Sequence, residues 1–412
     1  MNVGNTVNEG LCTSCGVCNG SCRKDAIAFH YGREKNIPYI DFTRCVECGV
    51  CYQVCPGKGI NLVEEGNKLY KCDKNTYAGH YLNAYIGHSN NYDIRYHSAT
   101  GGMVTSFLVW LLRNKIIDGA VVVRFKKENP FEAEPFIATT EEEIIESKSS
   151  KYVVVSMDKV AWEIAHSAPK RLVVVGLPCH IQGWRLLAKR NQNIKQAIVG
   201  YFAIYCSLTK TKHSIDYYLI RYKIDKSKVR RFAFRDDGCM GYMKFSDEKN
   251  DIKKIPYESF WFGTHSFFAN PRCSLCIDQF GELADISFGD IHIKPYSEDT
   301  IGTNSIIIRS EYWGQQLSEC QKQGIVTLDE ISIDTLLASQ IYTQIFKKGA
   351  GAKTNFLLRK IMRKATPKYD YKYTGTISLK NIVAEISKAL MRGIGKNPRL
   401  WFIVRLLDRN QD

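Results

Sequence analysis

The chain has 412 residues, 44% of them hydrophobic, and a formal net charge of +15. That length and apolar content suit two or three domains with a sizeable core, and no apolar run approaches the ~18 residues of a membrane span. The opening MNVGNTVNEG has neither the basic nor the apolar region of a secretory signal, so a cytoplasmic protein is expected, and its fifteen cysteines point to metal or redox chemistry over a disulfide framework.

Residues 1–66 are cysteine-dense and lack long helical patterns, as in a small metal-organised α+β module. CTSCGVCNGSC gives C-x2-C-x2-C-x3-C at Cys12, Cys15, Cys18 and Cys22, and CVECGVCYQVCP repeats it at Cys45, Cys48, Cys51 and Cys55. The doubled run is the bacterial-type ferredoxin pattern: three close thiolates wrap one [4Fe-4S] cluster and the fourth crosses to the other. Cluster one therefore takes Cys12, Cys15, Cys18 and Cys55, and cluster two takes Cys45, Cys48, Cys51 and Cys22. Gly16 and Gly49 let the backbone turn tightly around sulfur. Arg23 stands where such runs usually place proline. Two four-cysteine zinc sites are the competing reading, disfavoured because zinc ribbons use separated C-x2-C pairs.

Residues 67–97, rich in Tyr, Asn and His, read as a connector. Thereafter GAVVVRF, KYVVVSM, RLVVVGL, IVGYFAIYC and NSIIIRS read as strands. MVTSFLVWLLRN, MDKVAWEIAHS, HIQGWRLLAKR and KHSIDYYLIRYK read as helices. Continuous β-branched strands alternating with helices predict an α/β domain over 67–350, a mainly parallel or mixed sheet covered by helices.

Residues 351–412 form a basic, helical extension. From residue 347 to the end, sixteen Lys/Arg face four Asp/Glu, which is +12 of the +15. SLKNIVAEISKALMRG puts Ile382, Ile386, Ala389 and Leu390 on one helical face, and NPRLWFIVRLLDR sets Trp401, Phe402, Val404 and Leu406 among basic residues. This suits peripheral contact with an anionic membrane face; packing onto the protein's own core is the alternative, and no nucleic acid is expected.

Seven cysteines remain. Cys179 follows the strand LVVVGLP and Cys206 follows IVGYFAIY, so both reach the rim where the carboxyl ends of parallel strands collect ligands. NPRCSLC adds Cys273 and Cys276, completing four thiolates for a third [4Fe-4S] cluster. His180 reads as a helix-start residue, and Cys72, Cys239 and Cys320 as structural.

YHSATGGMVTSFLVWLL, IDGAVVV, SSKYVVVS, GLPCHIQGWRLL, FAIYCS, FRDDGCMGY, PRCSLCIDQFGELADISFGD and GTNSIIIRS together resemble the coenzyme F-420 hydrogenase/dehydrogenase beta-subunit family across about residues 75–312. The resemblance implies an FAD-containing subunit that exchanges hydride with coenzyme F-420 and passes electrons to iron–sulfur clusters. Its motif cysteines fall on Cys179, Cys206, Cys273 and Cys276. It also favours Ser98, Thr100, Gly101 and Gly102, which precede an amphipathic helix offering free N–H groups to a phosphate, and Ser150, Lys151 and Tyr152, as FAD contacts. Asp285 and Asp290 are expected to cap a turn near the inner cluster. Neither GxGxxG nor GxxxxGK[ST] occurs.

The expected function is an iron–sulfur flavoprotein oxidoreductase that relays electrons through FAD and three clusters to a redox partner protein or a larger oxidoreductase complex. No general acid or base is named. The alternatives are a stand-alone reductase of another organic substrate, resembling 7-hydroxymethyl chlorophyll a reductase, and a non-catalytic Fe-S partner-binding protein.

Overall fold

The computed structural model describes residues 1–408; the last four, including Arg409 at the end of NPRLWFIVRLLDR, lie outside the described residues. The N-terminal segment comprises the helix Val3–Asn8, an antiparallel hairpin of β1 (Ile27–Tyr31) and β2 (Asn36–Ile40), and short turns at Val17–Ser21 and Val50–Gln53. Two-residue strands β3 (Lys74–Asn75) and β4 (Gly79–His80) follow.

The central sheet begins with β5 (Asn83–Ser89), β6 (Gly119–Phe125), β7 (Ala133–Ala138), β8 (Leu172–Gly176) and β9 (Ile198–Ile204). An outlying antiparallel sheet of β10 (Arg231–Asp236), β11 (Tyr242–Ser246) and β12 (Asp251–Pro256) intervenes. The chain then returns to add β13 (Ile286–Asp290), β14 (Asn304–Ile308) and β15 (Val326–Ile331). The order is β15-β5-β14-β13-β9-β8-β6-β7. Its heart, β13-β9-β8-β6, is parallel, while β14, β15 and β7 run antiparallel to their neighbours. The fold is thus the expected α/β arrangement with a mixed sheet.

Side chains of β8 alternate between two cores: Leu172 and Val174 face one, Val173 the other. The first core is continuous with the N-terminal segment, joining Val3, Val17, Ile27, Ile40 and Val54 to Met157, Trp184, Leu187 and Tyr201. The cysteine-rich segment is therefore built onto the sheet domain through a shared interior.

Two expected elements differ. KYVVVSM forms no strand; residues 151–157 join no sheet ladder and bend at Val153, and an uninterrupted apolar run does not distinguish a strand from a buried lining segment. The connector over 67–97 contains β5, an internal strand of the sheet.

The basic extension forms helices Ala350–Ile361, Leu379–Lys396 and Trp401–Leu407. It packs more than an interfacial helix should: Trp401 and Val404 are buried in the core beneath the outlying sheet, so only Phe402 and Leu406 of that group stay exposed. Among the described residues no helix is long and apolar enough to cross a membrane.

Candidate functional site: a chain of cysteine sites leading from a large cavity

Gly16 and Gly49 each open the turn after the second cysteine of their run, at φ +80° and +74°, a left-handed conformation that side chains resist. Amide groups then point at sulfur: Ser14 N–H to Cys12 at 3.4 Å, Ala26 N–H to Cys22 at 3.3 Å and Val3 N–H to Cys51 at 3.4 Å. Such bonds stabilise thiolate.

The thiols sort into two sets. Burial, with Cys55 beside them, pushes Cys12 up to about 11 and Cys15 to about 12, and raises Cys18, which also feels Cys15, Cys55 and Cys12. Burial raises Cys51 as well, and its thiol neighbours are Cys22 and Cys48. Cys55 thus sits with the first run and Cys22 with the second, the crossing expected from the spacing. Among the described residues the one group of metal-type ligand atoms all within 4.8 Å of one another is His97, Asp236 and Asp237, and Lys244 and Lys254 already neutralise those aspartates. The cysteine sulfurs are spread more widely than the tetrahedron around a single zinc, whose Zn–S bonds are about 2.3 Å.

The inner four cysteines meet as well. Cys179 stands in the first turn of the helix Pro178–Ala188, after β8. Cys206 follows β9, and Cys273 and Cys276 lie in and after the turn Pro271–Leu275. All four line a cavity of about 40 Å³, with Thr13 of the N-terminal segment and the side chains of Arg272 and Lys347. Thr209 donates its N–H to Cys273 at 3.4 Å. Burial raises the Cys179 thiol, and the nearby thiols are Cys15, Cys206, Cys276 and Cys273. Cys179 therefore borders the first ferredoxin site as well as its own.

The surroundings fit an anionic cluster. Arg272 is buried, donating to the carbonyls of Leu11 and Gly57 and to the Tyr369 hydroxyl. Its Nη1 and the Thr13 hydroxyl have no partner within the described residues. Thiols at this depth hold their protons, so a cation bound among them is what would release thiolate. His180 is held neutral: burial lowers it to about 4, Leu177 N–H donates to its Nδ1, and its Nε2 lies 3.2 Å from Val155 O. It starts the helix, as expected.

Cys206 and His180 also border a second cavity, of about 670 Å³, over the carboxyl ends of β8, β9 and β13. Ser98, Thr100 and Gly102 line it where the helix Met103–Arg113 begins; Gly102 supplies no cap of its own, and Asn304 Oδ1 accepts only the first helical N–H, that of Met103, at 3.2 Å. That leaves a positive helix end facing the space. Gly101 lies behind the wall, where a Cβ would crowd Asn304 and Gly87 O. Ser150, Lys151 and Tyr152 line it as well. The Lys151 ammonium is occupied, donating to the carbonyls of Ser147, Lys148 and Ser149, and burial lowers it to about 7.

Sequence reasoning missed part of this wall. Tyr257 and Trp261 stack at 5.7 Å, with Tyr152 4.6 Å from Trp261; the (i, i+4) spacing in YESFW was the available signal. Asp290 pairs with buried Arg235 at 2.6 Å on the cavity wall, while Asp285 pairs with Arg185 at 2.7 Å. Neither caps a turn at the inner cysteines. Cys239, expected to be structural, sits 3.9 Å from the Thr100 hydroxyl.

Models of the N-terminal and C-terminal regions of the coenzyme F-420 hydrogenase/dehydrogenase beta subunit match residues 84–161 and 169–334, together more than half of the chain. The chain belongs to that family. A 4Fe-4S dicluster domain matches residues 11–59 in front of it. The coenzyme F-420-dependent sulfite reductase of Methanocaldococcus jannaschii is 25% identical over 339 residues, 79% of this chain and 48% of that protein. The chain thus spans about half that relative's length. The coenzyme F-420 hydrogenase subunit beta of Methanococcus voltae is 25% identical over 262 residues, 61% of this chain and 86% of that one. A chain of the F-420-reducing [NiFe] hydrogenase complex from Methanosarcina barkeri shares the fold at TM-score 0.57 and 19% identity, covering 73% of this chain and 100% of that one.

Proposed function

We propose that this family member is an iron–sulfur flavoprotein oxidoreductase that relays electrons between coenzyme F-420 and a one-electron partner, either a redox protein or a larger oxidoreductase complex. The observation that carries the reading is continuity: Cys206 borders both cavities, Cys179 lies beside Cys15, and Cys18 lies beside Cys51. FAD in the large cavity would supply hydride exchange, and three [4Fe-4S] clusters the single-electron steps.

The protein's part is positioning and insulation. Ser98, Thr100, Gly102 and the first turn of Met103–Arg113 suit a pyrophosphate. Ser150 and Tyr152 would bound the ring system together with Trp261. Cys12, Cys15, Cys18 and Cys55 would hold cluster one; Cys45, Cys48, Cys51 and Cys22 cluster two; and Cys179, Cys206, Cys273 and Cys276 the inner cluster. A reducing, cytoplasmic setting suits these thiolates. Anaerobically purified protein should carry about one FAD and about twelve irons per chain, and reduced coenzyme F-420 should bleach its flavin absorbance. Flavin bleached only by another organic donor would favour a stand-alone reductase, and absence of flavin a partner-binding Fe-S protein.

The extension adds an anionic membrane contact to the proposal. On Leu379–Lys396, Leu379, Val383, Ile386 and Leu390 form an exposed stripe, while Glu385 is buried and accepts from Asn355 at 2.7 Å. Basic residues surround the stripe, a pairing suited to anionic lipid. Because Tyr369, Trp401 and Val404 are core residues, the test is substitution rather than truncation. Changing the four stripe residues to Ser should leave folding intact and abolish flotation with anionic vesicles; equal flotation of the two proteins would refute the contact.

A further inference from the structure

Lys347 is the penultimate residue of the helix Ile341–Lys348, outside the residues matched by the family models. Only 4% exposed, it lines the small cavity with the four inner cysteines. Within the described residues no carboxylate pairs with it; its neighbour Lys348 takes buried Glu282 at 2.6 Å. What shares the cavity wall with Lys347 is the set Cys179, Cys206, Cys273 and Cys276, with Asp278 beside them. A lone buried ammonium is strongly disfavoured unless an anion faces it.

Two other buried lysines supply the contrast: Lys151 and Lys210 donate to neutral carbonyl and hydroxyl oxygens, whereas the wall around Lys347 is built largely of cysteines. Buried Arg272, on the same wall, brings a second cation, its Nη1 without a partner among the described residues.

We propose that Lys347 is a charge-positioning residue for the inner cluster, its fixed ammonium raising that cluster's reduction potential so that an electron leaving the flavin cavity settles there before crossing to the site of Cys15. The proposal rests on the inner-cluster reading above. When the cluster takes up one electron, one iron equivalent is reduced, no bond or proton need move, and the cluster becomes more negative by one charge. A cation at contact distance in a low-dielectric site stabilises that state over the oxidised one.

The test uses full-length, anaerobically purified protein and the variants Lys347→Met, which keeps bulk without charge, and Lys347→Arg, which keeps charge. Iron is counted, and each cluster's midpoint is followed by redox titration with electron paramagnetic resonance. About eight irons in the wild type would remove the inner cluster itself and this proposal with it. With about twelve, Lys347→Met should shift one of three midpoints to lower potential and leave the other two in place, while Lys347→Arg should return it towards wild type. An unmoved midpoint in Lys347→Met overturns the proposal. Should Lys347→Met assemble no inner cluster, recovery of cluster and midpoint in Lys347→Arg supports a charge role, and loss in both overturns it.

Discussion

Cys12, Cys15, Cys18 and Cys55 are all buried, 5–6% exposed, whereas Cys48 is exposed and Cys22, Cys45 and Cys51 are half-buried. Yet CTSCGVCNGSC and CVECGVCYQVCP are near copies. The repeat sets the ligand geometry of both sites, and the surroundings set what each can do. The first site is pressed into the sheet domain: Cys15 O accepts from Met157 N–H at 2.9 Å, and a Cβ on Gly16 would overlap the backbone nitrogens of Met157 and Asp158. The second faces outward, where Met1, Tyr39, Phe42 and Val46 are exposed. A buried station suits a step within the chain, and an accessible one suits a step to a partner.

The largest break in that symmetry should come from the cysteines themselves. Cys18→Ala and Cys48→Ala should each cost about four irons. Cys18→Ala should lower the unfolding free energy further than Cys48→Ala does, by about 1–3 kcal/mol, since Cys18 belongs to the interior shared with the sheet domain. Iron content and urea midpoints of the two variants would show it, and equal destabilisation would contradict the contrast.

The two turn glycines sharpen it next. Either Gly→Ala change places a side chain at positive φ, at about 1–2 kcal/mol. Gly49→Ala should stop there, meeting only Met1 O at 3.3 Å. Gly16→Ala should lose more and loosen the N-terminal segment from the sheet domain, seen as faster amide hydrogen exchange at Met157.

The mildest expected difference is chemical. On brief exposure to air or ferricyanide, the signal of cluster two should disappear before that of cluster one, because Cys48 is open to solvent. Simultaneous loss would place the two sites in equivalent surroundings.

Much of this organisation was legible in the sequence because cysteine spacing and β-branched runs are local signals. The crossing of Cys22 and Cys55, the placement of Cys179 and Cys206 after adjacent strands, and four of the five strands named were readable in that way. Long-range packing left no comparable trace. KYVVVSM was apolar enough for a strand but lines the large cavity instead, through Lys151, Tyr152, Val153, Val155 and Met157. β5 was hidden in a polar stretch. Nothing local marked Lys347 as a neighbour of the inner cysteines, because that approach depends on the helix Ile341–Lys348 packing against the turn Pro271–Leu275. Trp401 is buried in the core beneath the outlying sheet, a choice between core packing and a membrane face that its amphipathic pattern leaves open.

The central claim is that the inner cysteines link the large cavity to the ferredoxin-type sites. Stopped-flow spectroscopy of Cys179→Ala, with Cys320→Ala as control, tests it directly; Cys320 is buried among apolar residues of the opposite sheet face. Cys179→Ala should lose about four of about twelve irons. Its flavin should still be reduced by its donor, but onward transfer to a one-electron acceptor should fall to background, while Cys320→Ala keeps wild-type iron and rate. Unchanged iron and undiminished transfer in Cys179→Ala would make that thiol a packing residue and contradict the relay.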